Sequence, residues 1–248
     1  VSVLYCVLHI LHMSRKLPAA VRHITKISDL SPVEMRGILQ TAKHMKINPQ
    51  QYAAALQQKT LLMLFEKPSL RTRVSFETGM TQLGGHAIFY SIADSPLGKK
   101  ETMSDTAKVL ERFVDVVMAR VNKRQDIREL AALSHIPIIN GLDDFAHPCQ
   151  ILADFLTVGE KKGFENIDKL RITYTGDIRN NVTYDIMRAG VMLGATVSIA
   201  GPKGAEYEVE QEVLDECAAL AKAYGGALEV HNDASKAAKN SDVIYTDS

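Results

Sequence analysis

Short apolar runs of strand length, rich in β-branched residues, recur along this chain with longer segments of helical period between them. That alternation limits the fold more than any other feature, because it is the pattern of helices packed on the faces of mostly parallel sheets. The spacing predicts strands at 60–65, 87–91, 114–121, 137–140, 171–175, 196–200, 228–230 and 243–245. The clearest helix start is Ser31-Pro32-Val33-Glu34, where Ser can cap, Pro suits the first turn and Glu three residues on completes a capping box. This helix should run to about Met45. Another should run from about Val209 to Tyr224, with Val213, Leu214, Cys217, Leu220 and Ala221 on one buried face.

At 248 residues and 46% hydrophobic content the chain can build one large core or two ordinary ones. A helix beginning near Pro148, followed by the polar stretch 159–169, marks the division. The expected architecture is α/β, with two domains of parallel sheet flanked by helices, covering 13–155 and 156–248. Residues 1–12 are apolar but about half the length needed to span a bilayer, and they read as an upstream extension or an artefact. The 29 basic and 29 acidic side chains balance, so no broad electrostatic footprint invites a nucleic acid. No G-x-G-x-x-G follows a strand, so a dinucleotide site has no support. Cys6, Cys149 and Cys217 show neither CxxC spacing nor an even count, which argues against disulfides and structural zinc and for a reducing, cytoplasmic compartment.

The segment from Leu61 to Glu77 reads as a buried strand, a loop containing Pro68, and a helix. Backbone N–H groups at such a helix N-terminus suit a phosphate. Ser69, Thr72, Arg71 and Arg73 could add hydroxyl and guanidinium donors. The bland alternative is that Arg71 and Arg73 are surface arginines paired with Glu66 and Glu77. The spacing alone leaves both open.

With Ser69-Leu70-Arg71-Thr72-Arg73 followed by Phe76-Glu77, the loop resembles the carbamoyl-phosphate loop of the aspartate/ornithine carbamoyltransferase family, where Leu70 stands in place of the usual Thr. Two later segments match in order and distance: Asp115-Val116-Val117-Met118-Ala119-Arg120, and Asn140-Gly141-Leu142-Asp143-Asp144-Phe145-Ala146-His147-Pro148-Cys149-Gln150. The resemblance implies a transcarbamylase-like fold with a Rossmann-like second domain, no cofactor and no metal. It implies that Ser69, Leu70 (through its backbone N–H), Arg71, Thr72 and Arg73 hold carbamoyl phosphate, while Arg120, His147 and Gln150 donate to its carbonyl oxygen. Such donors suit the reaction, since negative charge grows on that oxygen when an amine attacks. Cys149 reads as small filler rather than a nucleophile, because residues two apart on a helix do not face each other.

Gly176-Asp177-Ile178-Arg179-Asn180-Asn181 resembles the ornithine-type members, which places Asn181 on the amino acid, and Asp247 matches the carboxylate that receives its amino group. The stretch Gly98-Lys99-Lys100-Glu101-Thr102 instead resembles the mobile loop of aspartate-type members, in which a lysine crosses from a neighbouring chain. L-Ornithine is the favoured acceptor; aspartate, putrescine or an acylated ornithine are the alternatives, and a noncatalytic phosphate-ligand module is the rival of another class. The resemblance further implies a homotrimer with shared active sites, neither a membrane nor a nucleic acid as partner, and a chain that stops short of the family's C-terminal segments. A polypeptide of these 248 residues is accordingly expected to be inactive alone.

Overall fold

The computed structural model describes residues 21–92 and 102–247. Lys99, Lys100, Cys6 and the extension 1–12 lie outside the described residues. In chain order the elements are α1 (Pro32–Ile47), β1 (Thr60–Phe65), α2 (Leu70–Gln82), β2 (His86–Ser91), α3 (Met103–Leu110), β3 (Val116–Arg120), α4 (Arg124–Leu133) and β4 (Ile138–Leu142). They continue with α5 (Pro148–Lys162), β5 (Arg171–Thr175), α6 (Asn181–Met192), β6 (Thr196–Ala200), α7 (Gln211–Tyr224), β7 (Ala227–His231), α8 (Ala234–Ala237) and β8 (Val243–Tyr245). Among the described residues no helix is long and apolar enough to cross a membrane.

The strands form two four-stranded parallel sheets, ordered β2-β1-β3-β4 and β7-β6-β5-β8. All eight expected strands form. The one at 114–121 is shorter, and just ahead of it the Asp115 side chain accepts from the Thr60 amide at 3.0 Å. The one at 137–140 runs on to Leu142, past a register shift at Ala119/Arg120. Ile24 extends this sheet beyond β4 through a single parallel bridge to Ile139.

In the first sheet, successive side chains enter different cores, as the period of two requires. Leu61, Met63, Phe65, Val116, Met118 and Ile139 join one apolar cluster, while Leu62, Leu64, Val117, Ala119 and Ile138 join another on the opposite face. The first of these clusters continues through α5 and α6 into the second sheet, taking in Phe155, Met187, Ile172, Val197 and Ile199. Helix α1 starts as expected: the Ser31 hydroxyl accepts from the Glu34 amide and Pro32 occupies the first turn. Along α7, Val213 and Cys217 are buried, and Leu214, Leu220 and Ala221 pack partly buried on the same core. Val209 is buried just ahead of that helix.

Helix α6 approaches β6 through Gly190, where an added Cβ would collide with the Val197 Cγ2 methyl. Valine in a strand is stiff at χ1 and cannot swing clear. Ala is intrinsically the better helix former by about 1 kcal/mol. Gly190→Ala is nonetheless predicted to destabilise the protein by about 1–3 kcal/mol through overpacking, measured by urea denaturation. An increase in stability would contradict this packing.

Candidate active site

In each sheet the chain reverses its direction of travel between two neighbouring strands: β1 and β3 in the first sheet, β5 and β8 in the second. Ligands of open α/β sheets bind beyond the carboxyl ends of strands at such points. The loop after β1 and the end of β3 carry the expected anion residues, and the ends of β5 and β8 carry the expected acceptor residues.

Ser69 caps α2, its hydroxyl accepting from the Thr72 amide at 3.4 Å. The first-turn amides of Leu70 and Arg71 have no acceptor within an α-helix, which leaves them for an anion. A cleft of about 310 Å³ opens beside them, lined by Ser69, Arg71, Thr72, Arg120, His147 and Gln150 among others. Arg120 reaches across from β3 and donates to the Thr72 hydroxyl at 3.4 Å. Its Nε is buried with no protein partner. Burial, and then the nearby Arg71 charge, lower the Arg120 pKa.

Leu70 and Arg73 lie outside this lining. Because α2 begins at Leu70, residues 70, 73, 74 and 77 share one helical face and 72, 75 and 76 another. The first face turns away from the cleft: Leu70 is 78% exposed, and Arg73 pairs with Glu77 at 3.0 Å and lies over the Phe89 ring at 3.8 Å. For Arg73 the bland reading of the sequence therefore describes the structure. Glu66 instead accepts from the Asn122 amide.

His147 sits at the N-cap of α5, with Pro148 at the first helical position. Two buried carboxylates hold the loop that delivers it. Asp143 accepts from the amides of Phe145 and Ala146 at 2.7 Å each and from Asn140 Nδ2 at 3.0 Å. Asp185 accepts from the His147 amide at 2.9 Å. Hydrogen bonds to a charged group contribute roughly 1.5–3 kcal/mol each, so this loop has little freedom to move. His147 Nδ1 is buried without a partner. With the proton of the neutral ring on Nε2, the imidazole would offer an N–H to the cleft.

Gln150 donates through Nε2 to Asp154 Oδ1 at 2.9 Å, and Tyr245 donates to the other oxygen of Asp154 at 3.1 Å. Burial raises the Asp154 pKa and outweighs these two donors. Asp154 thus ties α5 to β8 two residues before Asp247. The acceptor side is drawn together at Gly176, which has φ +133°; a Cβ there would lie 3.4 Å from Thr246 Oγ1 and 3.8 Å from the Asp247 carbonyl. Asn180 caps α6, and Asn181 donates to the Asp143 carbonyl. One N–H of Asn181 is therefore engaged with the loop that carries His147.

The sequence reading missed Asp143, Asp154 and Asp185. The i, i+4 spacing of Gln150 to Asp154 and of Asn181 to Asp185 was the signal that could have found two of them. Cys149 donates to the Asn140 carbonyl at 3.5 Å, and burial pushes its thiol pKa up to about 12, so it supplies no nucleophilic thiolate.

Family models match both halves of the chain. "Aspartate/ornithine carbamoyltransferase, carbamoyl-P binding domain" covers residues 22–160, and "Aspartate/ornithine carbamoyltransferase, Asp/Orn binding domain" covers 168–248. The chain is 46% identical to the ornithine carbamoyltransferase of Pyrococcus abyssi, over 91% of this chain and 70% of that protein. The solved ornithine carbamoyltransferase of Pyrococcus furiosus superposes with a TM-score of 0.86 at 45% identity, over 92% of this chain and 72% of that one. The ornithine transcarbamoylase of Giardia lamblia gives 0.83 at 42% identity, over 92% and 74%.

Burial, and then the Arg120 charge, depress the His147 pKa to about 4. The imidazole is thus neutral throughout the neutral range. Because its usual value is 6.5, the unfolded chain binds the extra proton between the two values, and this group's contribution to stability falls as pH drops from about 6.5 to about 4. A ring-nitrogen NMR titration of His147 should show no protonation at pH 6, and a midpoint near the usual value would contradict the geometry.

Proposed function

The chain belongs to the aspartate/ornithine carbamoyltransferase family. From that premise we propose that it transfers the carbamoyl group of carbamoyl phosphate to the δ-amine of L-ornithine, giving L-citrulline and phosphate. The observation that carries this reading is the convergence of Ser69, Arg71 and Thr72 with Arg120, His147 and Gln150 on one cleft. One set can hold a phosphate and the other can polarise the carbonyl beside it. Relatives named ornithine carbamoyltransferase support the choice of acceptor.

In this reading the phosphate lies against the first turn of α2, with Arg71 neutralising its charge. The neutral δ-amine forms the new C–N bond at the carbonyl carbon as the C–O bond to phosphate breaks, and the proton that the amine sheds leaves with the phosphate. Arg120 and the Nε2–H of neutral His147 stabilise the negative charge that grows on the carbonyl oxygen. Asp154 fixes the Gln150 amide, leaving its oxygen and one N–H for the carbamoyl group. Asn181 and Asp247 contact the amino acid, Asp247 offering a carboxylate to its ammonium group. Residues 13–155 then bind carbamoyl phosphate and 156–248 the amino acid. A homotrimer is part of the proposal. It is supported by apolar side chains left in water on α2 (Leu70, Val74) and on the neighbouring edge strand β2 (Ile88). Lys99 or Lys100 would reach the site of the adjoining subunit, and the reaction would run in the cytoplasm.

The protein in its complete reading frame should release phosphate from carbamoyl phosphate with ornithine, and not with aspartate, putrescine or N-acetylornithine. Release with aspartate alone, or binding without release under every acceptor, would refute the proposal. His147→Ala should lower kcat by about 10²–10³-fold, as removal of one oxyanion donor does.

A further inference from the structure

Beneath the cleft lies a charged cluster that the carbamoyl-transfer chemistry does not use. Asp185 and Arg188, one turn apart on α6, are both fully buried and paired at 3.0 Å. Arg188 continues to Glu216 on α7 at 2.9 Å, and Glu216 accepts from Lys26 and from the Ser28 hydroxyl. The Arg188 guanidinium lies 4.4 Å from the centre of the Phe145 ring, inside the loop that carries His147.

A buried ion pair is an unfavourable way to hold a fold, since apolar residues of similar volume usually do as well or better. Its position supplies a reason for it here. One oxygen of Asp185 takes Arg188 and, at 3.5 Å, the Ile27 amide; the other takes the His147 amide at 2.9 Å. Asn181, four residues earlier on the same face of α6, grips the same loop at the Asp143 carbonyl. One face of α6 therefore clamps both ends of the segment from Asp143 to His147, and the helix that offers Asn181 to the acceptor also sets the residue that polarises the carbonyl.

We propose that Asp185, backed by Arg188, is a positioning residue for carbamoyl transfer: it fixes the His147 backbone and so holds the imidazole against the reacting carbonyl oxygen. The inference rests on the proposed function above. At neutral pH the carboxylate is ionised, burial having raised its pKa only to about 6 against the pull of Arg188.

Two variants of the protein in its complete reading frame separate positioning from simple stability. Asp185→Asn keeps an oxygen for the His147 amide but removes one of the two carboxylates paired with the buried Arg188. It should lose thermal stability yet keep kcat within about tenfold of the parent. The double variant Asp185→Leu/Arg188→Met leaves no stranded charge but removes the acceptor. It should melt near the parent temperature while kcat falls roughly 10²-fold and the KM for carbamoyl phosphate stays within about threefold, because the donor lost acts in the transition state. Turnover that instead follows stability across both variants would overturn the proposal. A readout independent of turnover is the ring-nitrogen NMR signal of His147 on adding carbamoyl phosphate. If the parent forms no citrulline but its His147 signal shifts, and the shift is lost in the double variant, the carbamoyl-transfer reading fails while the anchor stands. A shift preserved in the double variant overturns the anchor.

Discussion

Helix α5 is buried along Ile151, Leu152, Phe155 and Leu156, in the apolar cluster that continues from the first sheet into the second. Fully burying side chains of this size contributes about 1.5–3 kcal/mol each. The rest of the site depends on that packing. Once this face is fixed, the helix has one position along its axis and one rotation about it. Its start then presents His147 and Gln150 to the cleft and its second turn presents Asp154 to β8, so a hydrophobic constraint sets the geometry of a polar site.

Polar contacts finish what the packing begins. Asp143 holds the backbone ahead of α5 through partners within three residues, whereas Asp185 and Asp154 bring in partners distant in the chain, the His147 amide and Tyr245. The arrangement places charge where it can act and withholds it elsewhere. Arg120 stays beside the loop 69–73 with its Nε unpaired, whereas Arg73, two residues beyond Arg71, is already neutralised by Glu77. Burial keeps His147 neutral, so it can donate a proton in a hydrogen bond without adding a second full charge next to Arg120.

Much of this was legible in the sequence, and the remainder was hidden for physical reasons. Strand and helix periods gave the α/β class and all eight strands, because buried β-branched runs and amphipathic spacing are local properties. The residues Ser69, Arg71, Thr72, Arg120, His147 and Gln150 could be named in advance and do converge on one cleft. The different fates of Arg71 and Arg73 could not, since they depend on the phase of α2 relative to the Ser69 cap. Asp143, Asp154 and Asp185 were not named either, although i, i+4 spacing marks the last two. An aspartate on a helix face looks solvated until the fold brings a loop against it, and only the packing of α6 against the segment before α5 turns Asp185 into a buried anchor.

In the proposed reaction, Arg120 and His147 meet the carbonyl oxygen of carbamoyl phosphate with donors already in place. Infrared difference spectroscopy with carbonyl-13C carbamoyl phosphate reads that interaction directly. The carbonyl stretch of the bound ligand should fall to a lower frequency than in water, and the displacement should shrink when His147 is replaced by Ala. A bound carbonyl that absorbs at its solution frequency would contradict the account.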